Sequence, residues 1–398
     1  MALRKILRTG LVGVAAAAVA ATAFAAPAQA SSDGAAAGAR TGANAGAGHQ
    51  ATRSAIDAAV RAGVPGITAQ ARDADGVWAA ASGVGNLRTG APRAKNDRFR
   101  VGSITKTFVA TVLLQMEAEG RLSLDDTVER RLPGLVRGNG NDGRKITVRQ
   151  LLNHTSGLFD YLADEEYNRT YLAGDGFLKH RYDTLSPRKH VKVALSHAPL
   201  FEPGTRNSYS NTNYVLAGLI IEKTAGRTYE AEVRDRIIEP LGLKATTNPG
   251  NSVHLPRPSG RGYAKLFESA PDRIDDVTAM NGSQGWADGD IISTTGDLNR
   301  FYRALLRGDL LPPKQLKEMK TTVPMTGAFP DTSYGLGLMR IRTSCGTTVW
   351  GHGGAMPGWL SMAFTTADGR HQLAYSLNSS WDGSAMMPIL EAEYCGKR

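Results

Sequence analysis

Cysteine is scarce in this chain. Only Cys345 and Cys395 occur in 398 residues, and the sequence shows no metal-ligand spacing. Long apolar runs are also missing beyond residue 30, which excludes a later bilayer-spanning helix. Basic residues are plentiful, giving a formal net charge of +10, but they are not interleaved with aromatics in a stripe that would suit nucleic acid. Neither a phosphate-binding glycine loop nor a dinucleotide fingerprint is present. The expectation is a protein with no cofactor, no metal, no nucleic-acid partner and no membrane anchor.

What is there begins with a leader. Arg4, Lys5 and Arg8, an apolar run from Leu11 to Ala25 and the small-x-small site Ala28-Gln29-Ala30 mark residues 1–30 as a secretory signal peptide. A secreted, extracellular protein is expected, and loss of the leader lowers the net charge to about +7. In an oxidising compartment an even cysteine pair is most simply a disulfide, here Cys345 to Cys395. Residues 31–52 are dominated by Ala, Gly, Ser, Thr and Asn and predict a flexible N-terminus. Residues 53–398 then form one large domain, with an α/β part at 53–120 and about 280–398 and a helical part at about 121–279.

Within that domain, Ile67 to Arg72 and Val77 to Ser82 flank Asp75-Gly76 and predict a β-hairpin. Thr347 to Trp350, Trp359 to Thr365 and Gln372 to Leu377 predict three more strands. Between these ends, Val109 to Glu119, Val148 to Leu152, Val191 to Ser196, Asn213 to Lys223 and Tyr229 to Ile238 carry helical spacing or composition, with Gly120 and Gly226 placed as stops. The fold class expected is α/β plus all-α: an antiparallel sheet built from both termini with an inserted helical subdomain, and a cleft between them as the natural site.

Ser103 stands where an N-cap belongs, with Lys106 one turn on, ahead of a core stripe of Phe108, Val112 and Met116. A serine hydroxyl needs a base, and a lysine serves only where its surroundings favour the neutral amine. The motif alone carries little weight. Ser186-Pro187-Arg188-Lys189 repeats the S-x-x-K spacing and reads as an ordinary helix cap. Tyr209-Ser210-Asn211, in a polar loop, adds a phenol to shuttle a proton and an amide to orient the lysine and a substrate carbonyl. His352-Gly353-Gly354, after the strand ending at Trp350, adds a backbone edge that a substrate can approach, with His352 beside it as a proton donor or acceptor. Each is weak singly; together they equip an active-site serine hydrolase.

From about Ile56 to Gly396 the chain resembles the penicillin-recognising serine hydrolases related to class C β-lactamases (peptidase family S12), and within them the secreted actinomycete D-alanyl-D-alanine carboxypeptidases. The resemblance rests on Phe99-Arg100-Val101-Gly102-Ser103, Leu151-Leu152-Asn153-His154-Thr155-Ser156-Gly157-Leu158, Tyr209-Ser210-Asn211-Thr212-Asn213, Tyr334-Gly335-Leu336-Gly337-Leu338 and the cysteine pair. It implies a β-lactamase/DD-peptidase-like fold and an acyl-enzyme on Ser103. Lys106 and Tyr209 would manage the proton, Asn211 would hold substrate and lysine, and the Ser103 and Ala355 amides would form the oxyanion hole. Trp286 would line the cleft, and His352, Gly353 and Gly354 would form its strand wall.

The resemblance also implies a grip on a substrate's terminal carboxylate by an arginine and two threonines. Met339, Gly353 and Ala355 stand in those places. Such charge-assisted contacts are worth roughly 1.5 to 3 kcal/mol, so their loss should weaken carboxylate recognition by about one to two orders of magnitude. The leading expectation is a D-alanyl-D-alanine carboxypeptidase-type hydrolase acting on small peptides or esters, including peptidoglycan stem peptides, as a monomer and open to acylation by β-lactams. The alternatives are an esterase or D-amino-acid amidase (D-aminopeptidase) with the same nucleophile, and a non-hydrolytic penicillin- or cell-wall-binding protein.

Overall fold

The computed structural model describes residues 47–325 and 331–396. The expected leader, and the low-complexity segment up to residue 46, lie outside them. Among the described residues nine strands make one sheet: β1 (Gly66–Asp73), β2 (Gly76–Asn86), β3 (Ala91–Pro92), β4 (Val323–Pro324), β5 (Thr332–Tyr334), β6 (Met339–Arg342), β7 (Thr348–Met356), β8 (Trp359–Thr366) and β9 (Gln372–Leu377). Their spatial order is β4-β5-β6-β7-β8-β9-β1-β2-β3, with antiparallel pairing throughout. β1 and β9 pair Ile67 with Leu377, which joins the two ends of the domain into one sheet. The expected hairpin is present, with Asp73 opposite Gly76.

Alternation along the strands sends side chains to two different cores. Ile67, Ala69, Met362, Phe364, Tyr375 and Leu377 pack with Ile56 of helix α1 (Gln50–Arg61) and with Ile389 and Leu390 of the C-terminal helix Met386–Cys395. Ala363 and Ala374 face the other way, into a larger core with Leu298, Phe301 and Leu305 of the helix Thr295–Arg307. That core continues into the helical half through α2 (Thr105–Ala118), whose Phe108 ring stacks on Phe301 at 3.7 Å. α2 and α3 (Asn211–Ala225) are both buried on nearly all sides, which is why they are apolar around the whole circumference rather than along one stripe.

Two expectations are corrected at this level. The flexible N-terminal reading ran to residue 52, yet Ala47–His49 form a 3₁₀ turn and α1 begins at Gln50. Side chains too few to show periodicity anchor it: His49 and Thr52 are buried and both bond Glu393, on the last helix. The second concerns Ser103. It lies inside a 3₁₀ turn, Gly102–Ile104, and α2 starts at Thr105 without a side-chain cap. The comparison motif does cap: the Ser186 side chain accepts from the Lys189 amide, with Pro187 at the first helical position.

A disulfide joins Cys345, in the β6–β7 turn, to Cys395 at the end of the last helix. It closes a loop with a sequence separation of 50, a constraint on the unfolded chain worth roughly 4 kcal/mol. Reduction is therefore expected to lower the melting temperature by several degrees, read by calorimetry with and without reductant. An unchanged melting temperature with both thiols titratable would remove the disulfide's stabilising role.

Candidate active site

Close backbone contacts set the site before any side chain does. Gly102 has φ +59, and a Cβ there would stand 2.7 Å from both the nitrogen and the oxygen of Ala355. A Cβ on Gly354 would stand 1.8 Å from the Val101 carbonyl oxygen, which also accepts a 2.9 Å bond from the Ser361 hydroxyl. Only glycine at both positions lets β7 close on the turn that carries Ser103. The amides of Ser103 and Ala355 are thereby carried on adjoining backbone. Pairing of β7 with β6 ends at Gly351, so the edge from His352 to Met356 lies outside that ladder, with Gly353, Gly354 and Ala355 half-exposed.

Lys106 is fully buried and its Nζ has three acceptors: Ser103 Oγ at 2.9 Å, Asn211 Oδ1 at 2.7 Å and the Asp288 backbone oxygen at 2.8 Å. An ammonium fills all three with its protons. A neutral amine has two protons and a lone pair; keeping the two fixed carbonyl acceptors leaves the lone pair for the Ser103 hydroxyl proton. Burial draws the Lys106 value down to about 8, against the opposing pull of Asp288 and Asp160. The amine is thus within reach of its neutral form near physiological pH.

Tyr209 lies in the loop just before α3, its ring 5.0 Å from Lys106 Nζ. Its hydroxyl is enclosed and, among the described residues, makes no hydrogen bond of ordinary length. Burial pushes its value well above that of an ordinary phenol, against a smaller lowering influence from Ser103. Protonated at any ordinary pH, it suits donating or relaying a proton, and Lys106 suits removing one. Behind it pack His154, at 4.2 Å between ring centroids, and Tyr334, at 6.0 Å.

The structure therefore brings Ser103, Lys106, Tyr209 and Asn211 together at the sheet edge formed by Gly353, Gly354 and Ala355. It does not bring His352 to the cleft as a proton donor or acceptor. β7 runs on to Met356, so His352 sits within the strand and is buried. Its Nδ1–H donates to its neighbour, the Gly353 carbonyl, and its Nε2 therefore accepts from the Tyr334 hydroxyl at 2.7 Å. Burial takes its value down to about 3, so it is neutral and both nitrogens are used. Trp286 is also displaced from its expected place. At φ +36 it turns into the helical core, only 7% exposed, edge-on to Tyr229 at 4.9 Å and against Gly218.

Two carboxylates escaped the sequence reading. Asp160 Oδ2 accepts from Asn211 Nδ2 at 2.8 Å, and Asp288, whose backbone holds Lys106, accepts from the Tyr161 hydroxyl at 2.8 Å. Burial raises both, Asp288 to about 7. Asp160 lies two positions after the quoted Leu151-to-Leu158 segment, and Asp288 two positions after Trp286. Position beside the motifs was the only available signal, because acidic residues in loops are ordinarily solvated.

The chain belongs to the beta-lactamase family, whose model matches residues 51–390. Among solved structures it is similar to a D-stereospecific amidohydrolase from a Streptomyces species, at 52% identity and a TM-score of 0.83, covering 88% of this chain and 99% of that one. It is similar also to the D-amino acid amidase of Ochrobactrum anthropi SV3, at 29% identity and a TM-score of 0.74, covering 86% and 97%. Among curated proteins it is 29% identical to penicillin-binding protein 4* of Bacillus subtilis over 76% of this chain; the match spans 65% of that protein, just under two thirds of its length. The protein is a serine hydrolase with the mixed α/β fold of that family.

Proposed function

We propose that the protein is an exported amidohydrolase that acylates Ser103 with D-amino-acid residues from amides and short peptides. The observation that carries this reading is the sheet edge: Met339 is buried at 5% exposure, Gly353 has no side chain, and Ala355 has only a methyl. Next to them Arg340 alternates away from Met339 along β6. Nothing at those three positions attracts a terminal carboxylate, and a neutral leaving group fits as well as an acidic one. The likeness at 52% identity to a D-stereospecific amidohydrolase supports the same choice, and the leader and cysteine pair support export.

In this reading Lys106 takes the Ser103 proton as Oγ attacks the carbonyl, and the Ser103 and Ala355 amides hold the oxyanion. Collapse breaks the C–N bond, Tyr209 relays the proton to the departing amine, and the acyl-serine is left. Water then adds to the ester carbonyl, giving up its proton to Lys106; the C–Oγ bond breaks, Lys106 returns the proton to Oγ, and the acid leaves a free Ser103.

The test compares D- and L-amino-acid amides, a D-Ala-D-Ala peptide as free acid and as C-terminal amide, and a short p-nitrophenyl ester. D-amides are expected to turn over at least about 100-fold faster than L-amides, with the peptide amide equal to or better than the free acid. Preference for the free acid by tenfold or more would instead restore the carboxypeptidase reading, which the resemblance to penicillin-binding proteins favours. Turnover of the ester alone would leave an esterase.

A further inference from the structure

We propose that Asp160 is a positioning residue for Lys106: acting through the Asn211 amide, it fixes the direction of the lysine's lone pair and holds a negative charge beside it. This rests on the serine–lysine chemistry proposed above. A carboxylate can only accept, so Asp160 Oδ2 selects Asn211 Nδ2 as its partner at 2.8 Å and forces Oδ1 to the opposite side, where it accepts from Lys106 at 2.7 Å. Without that carboxylate the amide could turn over, presenting N–H groups to an amine that needs an acceptor.

The next residue supplies the second arm. The Tyr161 hydroxyl holds the Asp288 carboxylate at 2.8 Å, while the Asp288 backbone oxygen takes another proton of Lys106 at 2.8 Å. Tyr161 is itself fixed, stacked on the buried His190 ring at 4.5 Å. Consecutive residues 160 and 161 therefore control both acceptors that remain on Lys106 once Ser103 is engaged. The surrounding groups are the Asp160 and Asp288 carboxylates, which favour the cation, the Tyr209 and Tyr214 rings at 5.0 and 5.6 Å from Nζ, and the uncharged His154 and His352.

Asp160 also caps a 3₁₀ turn by accepting from the Leu162 amide. Asparagine preserves that cap, so Asp160→Asn separates the charge from the local fold. The experiment follows the second-order rate of fluorophosphonate acylation against pH for wild type, Asp160→Asn, Asn211→Ala and the double variant, with Ser103→Ala as blank and melting temperatures throughout. Asp160→Asn is expected to lower the plateau rate by roughly 10- to 100-fold. Its acid limb should move to lower pH, because removing a negative neighbour favours the neutral amine. Asn211→Ala keeps the Asp160 charge, so it should lose rate without that downward move. In the double variant the Asp160→Asn loss of plateau rate should largely vanish.

An Asp160→Asn profile superposable on wild type, or fully additive rate losses in the double variant, would overturn the inference. Should Asp160→Asn fail to fold, an Asn211→Ala limb displaced downward would do so alone, since the charge would then not be what sets it. Labelling that persists in Ser103→Ala would instead defeat the serine–lysine reading itself.

Discussion

Ser103→Ala is expected to lower turnover of every substrate by about 10⁴-fold or more and to abolish fluorophosphonate labelling, with the fold intact. The size of the effect follows from covalency: without Oγ there is no acyl-enzyme, and the oxyanion site and Lys106 have no bound nucleophile to assist. Stability should change little, because Ser103 lies in a short turn whose position is set by Gly102, Val101 and Ala355. Mass spectrometry of the labelled wild type should place the adduct on Ser103. An adduct elsewhere, or residual turnover within about tenfold of wild type, would assign the nucleophile to another residue.

Lys106→Met should come next in magnitude, a fall of about 10³-fold in kcat/KM. Only the neutral amine can accept the serine proton, so the wild-type rate should climb as pH rises through about 8 and level off above it. The methionine variant should lack this limb. Stability should respond over a related window. Burial holds the folded value near 8, below the ordinary 10.5, so between those two pH values the unfolded chain binds more protons than the folded one. Wild-type stability should therefore gain its Lys106 contribution as pH rises across that window and lack it below. Denaturant midpoints at several pH values check this; a Lys106→Met midpoint with the same pH-dependent rise would trace it to other groups.

Much of the frame was legible in the sequence because it depends on local rules. Turn residues between β-rich runs marked the β1–β2 hairpin, and apolar runs bounded by Gly120 and Gly226 marked α2 and α3. The S-x-x-K spacing could be weighed against its own decoy, whose Ser186 caps a helix. His352 and Trp286 went the other way. Residue type for His352, and the family resemblance for Trp286, suggested cleft-facing roles, but neither register nor a positive φ can be read from either, and both side chains point into packed interiors.

By itself the sequence determined the reactive groups, their order along the chain, the glycines without which β7 could not meet the nucleophile turn, and the cysteine pair. The tertiary structure alone decided how those groups behave. Lys106 meets Asn211 across 105 residues and the Asp288 carbonyl across 182. Asp160 reaches Asn211 across 51. Proton affinity depends on exclusion of water and on neighbours brought close by folding, and neither is a property of any local stretch of chain. A lysine that sequence shows only as a base near a serine becomes, by burial among fixed acceptors, an amine poised to take its proton.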